Sequence, residues 1–305
     1  MNFLSKNKNE VALVLSSGGA RGMAHIGVIN ALEKHGYKIT SISGTSMGAL
    51  VGGIYAAGKL DVLENWFKQL DKRQVLRLVD ITISTSGLVK GEKVIHEMEE
   101  MIPDRNIEDL EIPFTAVATD ILNEEEIVFE SGKLYDAIRA SISIPTVLTP
   151  HKVDGRQLVD GGVVNPIPSN RVKRKKRDLL IVSDVNARID QEMPVVTKKA
   201  EDENDTTPDK KEDSVAWRTL NAIHERLSKV IPSSNKDKIG MFNLVNRSTS
   251  LMLHVISENT LEKYPPDVLV NVDRNSFGTF DFYKAGDIIK AGEKACEKAL
   301  EKYHA

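Results

Sequence analysis

A chain of 305 residues, 41% hydrophobic and 28% charged, can bury a sizeable core and has the balance of an ordinary globular protein. Its net charge of -3 gives it no bulk attraction for nucleic acid or for an anionic surface. The single cysteine, Cys296, excludes an intramolecular disulfide framework and a cysteine-rich zinc site, and no metal or other cofactor is expected.

Residues 1–10 are polar, and the apolar run at 11–15 is broken at once by Ser-Ser-Gly-Gly, unlike a secretory leader. The longest weakly polar stretch, 47–58, is too short and glycine-rich to span a bilayer, which takes about 20 apolar residues. The expected location is cytoplasmic, with any membrane contact peripheral, at the inner membrane surface. Residues 11–15 read as a buried strand and 16–22 as a glycine-rich turn. A helix over 23–35 follows, with Met23, Ile26, Ile29 and Leu32 at helical spacing and Gly36 just past its end. A strand at 39–43 then leads through residues 44–48 into a helix ending at Gly58. This recurrence of strand, glycine turn and helix predicts a parallel sheet covered by helices.

Helices are expected at 66–70 and 91–101, an irregular connector at 81–88, strands at 113–119 and 126–129, and a short helix at 134–141 stopped by Ile144-Pro145. Residues 152–159 read as a hairpin whose Asp154-Gly155 suits a type I′ turn; its second arm delivers Asp160-Gly161-Gly162. A strand at 178–184 follows. Residues 198–213 carry 11 charged residues in 16 and are expected as a flexible insertion. Helices at 214–230 and 241–257, a strand at 267–272 and a helix at 283–303 close the chain. The expected organisation is a catalytic core over 1–190, a charged insertion or linker over 191–213, and elements over 214–305 that complete the same domain.

Three segments carry chemistry. Gly44-Thr45-Ser46-Met47-Gly48 fits G-x-S-x-G, in which flanking glycines permit the strained strand-to-helix turn that lifts a serine oxygen into a cleft. A glycine-rich helix start that merely packs closely gives the same pattern. Residues 17–22, Ser-Gly-Gly-Ala-Arg-Gly, lie between a strand and a helix, where backbone N–H groups and the helix N-terminus bind an anion. A dinucleotide site needs an acid about 20 residues on, and residues 40–45 have none; a Walker loop needs Gly-Lys-Ser/Thr, which is missing. An oxyanion hole remains. Asp160-Gly161-Gly162 sets a carboxylate at a strand end, though alone it reads more readily as an ordinary turn aspartate.

Together, residues 15–28 (Leu-Ser-Ser-Gly-Gly-Ala-Arg-Gly-Met-Ala-His-Ile-Gly-Val), 44–48, 140–145 (Ala-Ser-Ile-Ser-Ile-Pro) and 158–166 (Leu-Val-Asp-Gly-Gly-Val-Val-Asn-Pro) closely resemble the stand-alone bacterial patatin-like phospholipases. The resemblance covers about residues 10–185. It implies a three-layer α/β/α fold with a mostly parallel central sheet, a Ser-Asp dyad without histidine, and lipid acyl esters as substrates. By position the nucleophile falls on Ser46 with elbow glycines Gly44 and Gly48. The aspartate falls on Asp160, followed by Gly161 and Gly162. The oxyanion donors fall on Gly18, Gly19 and their neighbours Ala20, Arg21 and Gly22. The first motif departs from the family's usual Asp followed by three glycines, because Ser16 and Ser17 precede Gly18; a serine there narrows the approach to the cleft.

A carboxylate with an ordinary pKa near 3.9 is a weak base, so a dyad calls for a partly buried Asp160 and a strong oxyanion hole. Arg21 adds positive charge at the hole or bonds backbone carbonyls; both readings stand. The rival mechanism is a Ser-Asp-His triad using His224 or His254, and His25 reads as a packed helix residue. A rival of another class is a regulatory protein that holds an acyl or phosphate ligand without turnover. The run Arg171-Val-Lys-Arg-Lys-Lys-Arg177 is either a solvated surface or a dock for anionic lipid headgroups, without the interleaved aromatics of a nucleic-acid patch. The oligomeric state is not legible.

Overall fold

The computed structural model describes residues 9–78, 90–189 and 241–305. The connector expected at 81–88, the charged stretch 198–213, the helix expected at 214–230 and His224 lie outside the described residues. The chain divides into two compact units, residues 1–189 with 253–305, and residues 190–252.

The strands are β1 (Glu10–Leu15), β2 (Lys38–Thr45), β3 (Phe114–Asp120), β4 (Glu125–Phe129), β5 (His151–Val153), β6 (Arg156–Asp160), β7 (Leu179–Ala187) and β8 (Val268–Asp273). The helices are α1 (Ala24–Lys34), α2 (Met47–Ala56), α3 (Leu60–Gln69), α4 (Lys72–Leu78), α5 (Glu92–Met101), α6 (Leu134–Ser141), α7 (Met241–Lys263) and α8 (Ala285–His304). All eight strands form one sheet in the order β5-β6-β3-β2-β1-β7-β8, with β4 also paired to β3. The run β3-β2-β1-β7-β8 is parallel, and the pairs β3–β4, β3–β6 and β5–β6 are antiparallel.

β1 is apolar and fully buried from Val11 to Leu15, the pattern of a strand covered on both faces. Val11, Leu13 and Leu15 enter the main core with α1, α2 and α8. Ala12 and Val14 face a smaller cluster with Ile167, Leu180 and Val182, against which Val172 and Leu261 of α7 pack. Helices therefore cover both faces, as the sequence predicts. Asp154 and Gly155 have φ of 49° and 78°, as a type I′ turn requires.

Helix α3 starts earlier than expected because Leu60, Leu63 and Phe67 share its buried side. Helix α4 is not anticipated at all. Its start is a reciprocal capping box, with Gln74 N donating to Asp71 Oδ1 (2.7 Å) and Asp71 N to Gln74 Oε1 (2.8 Å), so Asp71-Lys-Arg-Gln74 was a readable signal.

One topological detail positions everything that follows. β2 pairs with β3 up to Thr45 opposite Val117, and β6, running the other way, ends with Asp160 opposite Ala118. β4 occupies the other edge of β3 from Ala116 to Asp120, overlapping both stretches. Strands β2 and β6 thus meet head to head on one edge of β3, and the residues at their two ends come together.

Candidate active site

The chain leaves β2 at Ser46 with φ 57° and ψ −123° and enters α2. A positive φ at a residue bearing a side chain costs about 1–3 kcal/mol, so surrounding structure must hold it. Glycine makes the close approach possible. A Cβ on Gly44 would lie 2.4 Å from Gly48 O, and one on Gly48 would lie 2.3 Å from Leu15 O, so α2 begins directly against the backbone of β1. The Ser46 N–H donates to Ser141 Oγ at 2.8 Å, and the Ser141 hydroxyl donates to Val117 O at 2.6 Å.

Asp160 ends β6 and caps a short 3-10 turn, its Oδ1 accepting from Gly162 N at 2.7 Å. Its Oδ2 accepts from Ser46 Oγ at 2.5 Å, with no imidazole between them. The pair is nearly sealed from solvent, Ser46 at 3% and Asp160 at 6% exposure. Burial pushes the Asp160 carboxyl up to about 6, against the opposing pull of its hydrogen bonds from Ser46 and Gly162. A Cβ on Gly161 would lie 2.2 Å from Val117 O, so only glycine lets the chain turn this tightly against β3. A hydroxyl donating to a carboxyl of raised proton affinity is chemically a serine with a local base.

The first glycine turn is wired to β7 and to the loop before α8. Ser16 N donates to Ser183 O, Ser17 N to Pro166 O, and Ala20 N to Thr279 O. No acceptor among the described residues takes the N–H of Gly18 or Gly19. Ala20, Arg21 and Gly22 lie within the 3-10 turn Gly19–Met23 that leads into α1. Arg21 directs its guanidinium away from an anion role, to Val185 O (3.2 Å), Phe277 O (3.2 Å), Thr279 Oγ1 (3.3 Å) and Asn186 Oδ1 (2.7 Å). Ser16 is equally engaged, its hydroxyl donating to Ser17 O and accepting from Val185 N. Ser17 stands beside Gly162, where an added Cβ would lie 3.4 Å from Ser17 Oγ.

His25 is fully buried between Ser16 O and Ser183 Oγ, each at 2.9 Å from a ring nitrogen. The carbonyl can only accept, so Nε2 carries the proton and Nδ1 accepts from Ser183. Burial lowers its pKa to about 4, keeping the ring neutral. It braces the glycine turn, a task that helical spacing alone did not reveal. The Nε2 of His254 lies 3.4 Å from Glu258 in the same helix, and no hydrogen bond joins it to Ser46 or Asp160 among the described residues.

The middle of the basic run lies at the other end of the sheet, while Arg171 reaches Glu126, opposite Thr119 of β3. Lys173, Arg174 and Lys175 border a cleft with Glu10, Lys38 and Pro113, at the starts of β1, β2 and β3. Arg171 pairs with Glu126, Lys173 with Glu130 and Arg174 with Asp267. A larger cavity, about 790 Å³, opens between α5, α6 and the β5–β6 hairpin. Neither Ser46 nor Asp160 lines it.

Residues 13–170 match the family model described as patatin-like phospholipase. The chain belongs to the patatin-like phospholipase family. Along nearly its whole length it is similar to an uncharacterized NTE family protein of Mycobacterium tuberculosis, with 37% identity over 331 residues, covering 96% of this chain and 92% of that one. It is also 30% identical over 289 residues to lysophospholipase NTE1 of Meyerozyma guilliermondii, covering 92% of this chain and 18% of the fungal protein. Human patatin-like phospholipase domain-containing protein 6 is 32% identical over 188 residues, which cover 59% of this chain and 14% of that protein.

Proposed function

We propose that this protein is a serine acyl hydrolase cleaving carboxylic esters of lipids, of the phospholipase or lysophospholipase type. The observation that carries the reading is the direct 2.5 Å hydrogen bond from Ser46 Oγ to a buried Asp160 whose carboxyl is raised to about 6. At neutral pH Asp160 is then ionised yet a far better base than a solvated aspartate. As Ser46 Oγ bonds to the ester carbonyl carbon, its proton passes to Asp160. The carbonyl oxygen becomes an oxyanion facing the N–H groups of Gly18 and Gly19, each such donor contributing about 3–4 kcal/mol. Collapse of the intermediate breaks the ester C–O bond, and Asp160 returns the proton to the leaving alcohol. Water deprotonated by Asp160 then attacks the acyl-enzyme, giving the free acid and restoring Ser46.

In this reading residues 1–190 form the catalytic core, 191–213 a charged insertion, and 214–305 complete the fold. No described helix is long and apolar enough to cross a membrane. We take lipid to approach the Ser46 end of the sheet, where Ile121 and Leu122 follow β3 and Val163 and Val164 follow Asp160, all exposed. Contact with the membrane is then peripheral and on the cytoplasmic side. The test is hydrolysis of short-chain p-nitrophenyl esters and of lysophospholipid. Wild type turns over, and Asp160→Asn loses about 10³-fold or more in kcat. An inactive wild type, or an Asp160→Asn variant within tenfold of it, removes the proposal.

A further inference from the structure

The end of α6 and the residues just after it hold both members of the pair at once. The N–H of Ser46 donates to Ser141 Oγ, and the N–H of Asp160 donates to Ser143 O at 2.9 Å. Ser141 has a single hydroxyl proton, and it is committed to Val117 O. Its oxygen therefore meets Ser46 only as an acceptor, and the direction of the relay cannot reverse. Ser141 is fully buried. Arg139 steadies the same turn, its guanidinium bonding Ser143 Oγ, Lys90 O and Thr149 O. The positive φ of Ser46 is the part of this arrangement that a free chain would relax, and the bond to Ser141 opposes that relaxation directly.

We infer that Ser141 is a positioning residue that fixes the Ser46 backbone so that Oγ stays on Asp160. The inference rests on the reading of Ser46 as nucleophile. Ser141 acts through the amide of Ser46 and not on substrate, so its loss falls on turnover and leaves binding intact.

The test replaces Ser141 by alanine and compares it with Ser43→Ala. Ser43 is also fully buried, and its hydroxyl bonds one carbonyl, Pro168 O, at 2.9 Å, with no hydrogen bond to Ser46 or Asp160. kcat and KM for a soluble p-nitrophenyl ester and the Tm are measured for each. Ser141→Ala should lose about 10–100-fold in kcat with KM held within about twofold. Ser43→Ala should lower Tm comparably while keeping kcat within about twofold. Ser141→Cys, which keeps the packing but is a poor acceptor, should show the same kcat loss and serves if the alanine variant does not fold. A folded Ser141 variant with wild-type kcat overturns the inference. So does a Ser43→Ala loss of kcat equal to that of Ser141→Ala, which would trace both to general stability. If wild type itself hydrolyses no ester, the reading of Ser46 falls and the inference with it; an active wild type with an indifferent Ser141 removes the inference alone.

Discussion

The two ends of this one sheet are built on opposite electrostatic plans. At the starts of the parallel strands Lys173 and Arg174 meet Glu130 and Asp267 in partly exposed ion pairs. At the opposite end Asp160, which closes β6, is buried with a hydroxyl and an amide for partners and no ion pair among the described residues, whereas the buried Asp120 at the end of β3 lies 3.7 Å from Arg156. Exposed pairs of the first kind contribute little, with a median of about 0–1 kcal/mol. Burial without a counter-charge does the reverse, raising proton affinity and turning an aspartate into a base. Lys173, Arg174 and Lys175 therefore do not mark the Ser46 end, where Asp160 is held by a hydroxyl and an amide and the N–H groups of Gly18 and Gly19 have no acceptor among the described residues.

The sharpest structural way to break this comparison is within the β5–β6 hairpin and its exit. Gly161→Ala puts a methyl group 2.2 Å from Val117 O and must push β6 away from β3. A loss of about 2–4 kcal/mol in urea unfolding is expected, together with most of the activity. Gly155→Ala, at the open turn with φ 78° and nothing within 4 Å, should cost only about 1 kcal/mol and leave activity unchanged.

A second test uses pH. Asp160 holds its proton more tightly folded, at about 6, than at the ordinary value of 3.8. Its contribution to stability is therefore full below about pH 4 and is lost as pH rises through 6, a swing of about 3 kcal/mol. Activity runs the other way: kcat/KM should fall as pH drops through about 6, because the base is then protonated. Asp160→Asn should be inactive yet more stable than wild type by about 1–3 kcal/mol above pH 7, and that advantage should vanish near pH 4. Equal stability of the two proteins at pH 8 would contradict the burial argument.

The smallest effect is expected at the other end. Replacing Lys173, Arg174, Lys175 and Lys176 by glutamine should leave hydrolysis of a soluble ester within about twofold and shift Tm by only a few degrees. Because Lys173, Arg174 and Lys175 border the cleft at the strand starts, turnover of phospholipid in anionic vesicles should fall no more than that of the soluble ester. A selective loss on vesicles would restore the run as the membrane dock.

Much of this was legible in the chain because local chemistry and fold agree. The apolar run of β1, the glycine-flanked Ser46 and the Asp154-Gly155 turn each state their conformation locally. The meeting of β2 and β6 on β3 was not legible, since Val117 and Ala118 carry no mark of being the rung where two strands end. The work of Ser141 and His25 was hidden for the same reason: each bonds a residue far off in sequence, 95 and 158 positions away. For Arg21 the sequence left a charge at the anion site and a bond to backbone carbonyls equally open, and only the tertiary placement of Val185, Phe277 and Asn186 shows that its guanidinium goes to them.

The central claim is that Ser46 is activated by direct contact with Asp160, and a fluorophosphonate probe tests it most directly. Intact protein is treated with the probe, digested, and the modified peptide is identified by mass spectrometry. One adduct on Ser46 is expected, absent from Ser46→Ala and formed far more slowly in Asp160→Asn. No adduct in wild type, an adduct that persists in Ser46→Ala, or undiminished labelling of Asp160→Asn would contradict the account.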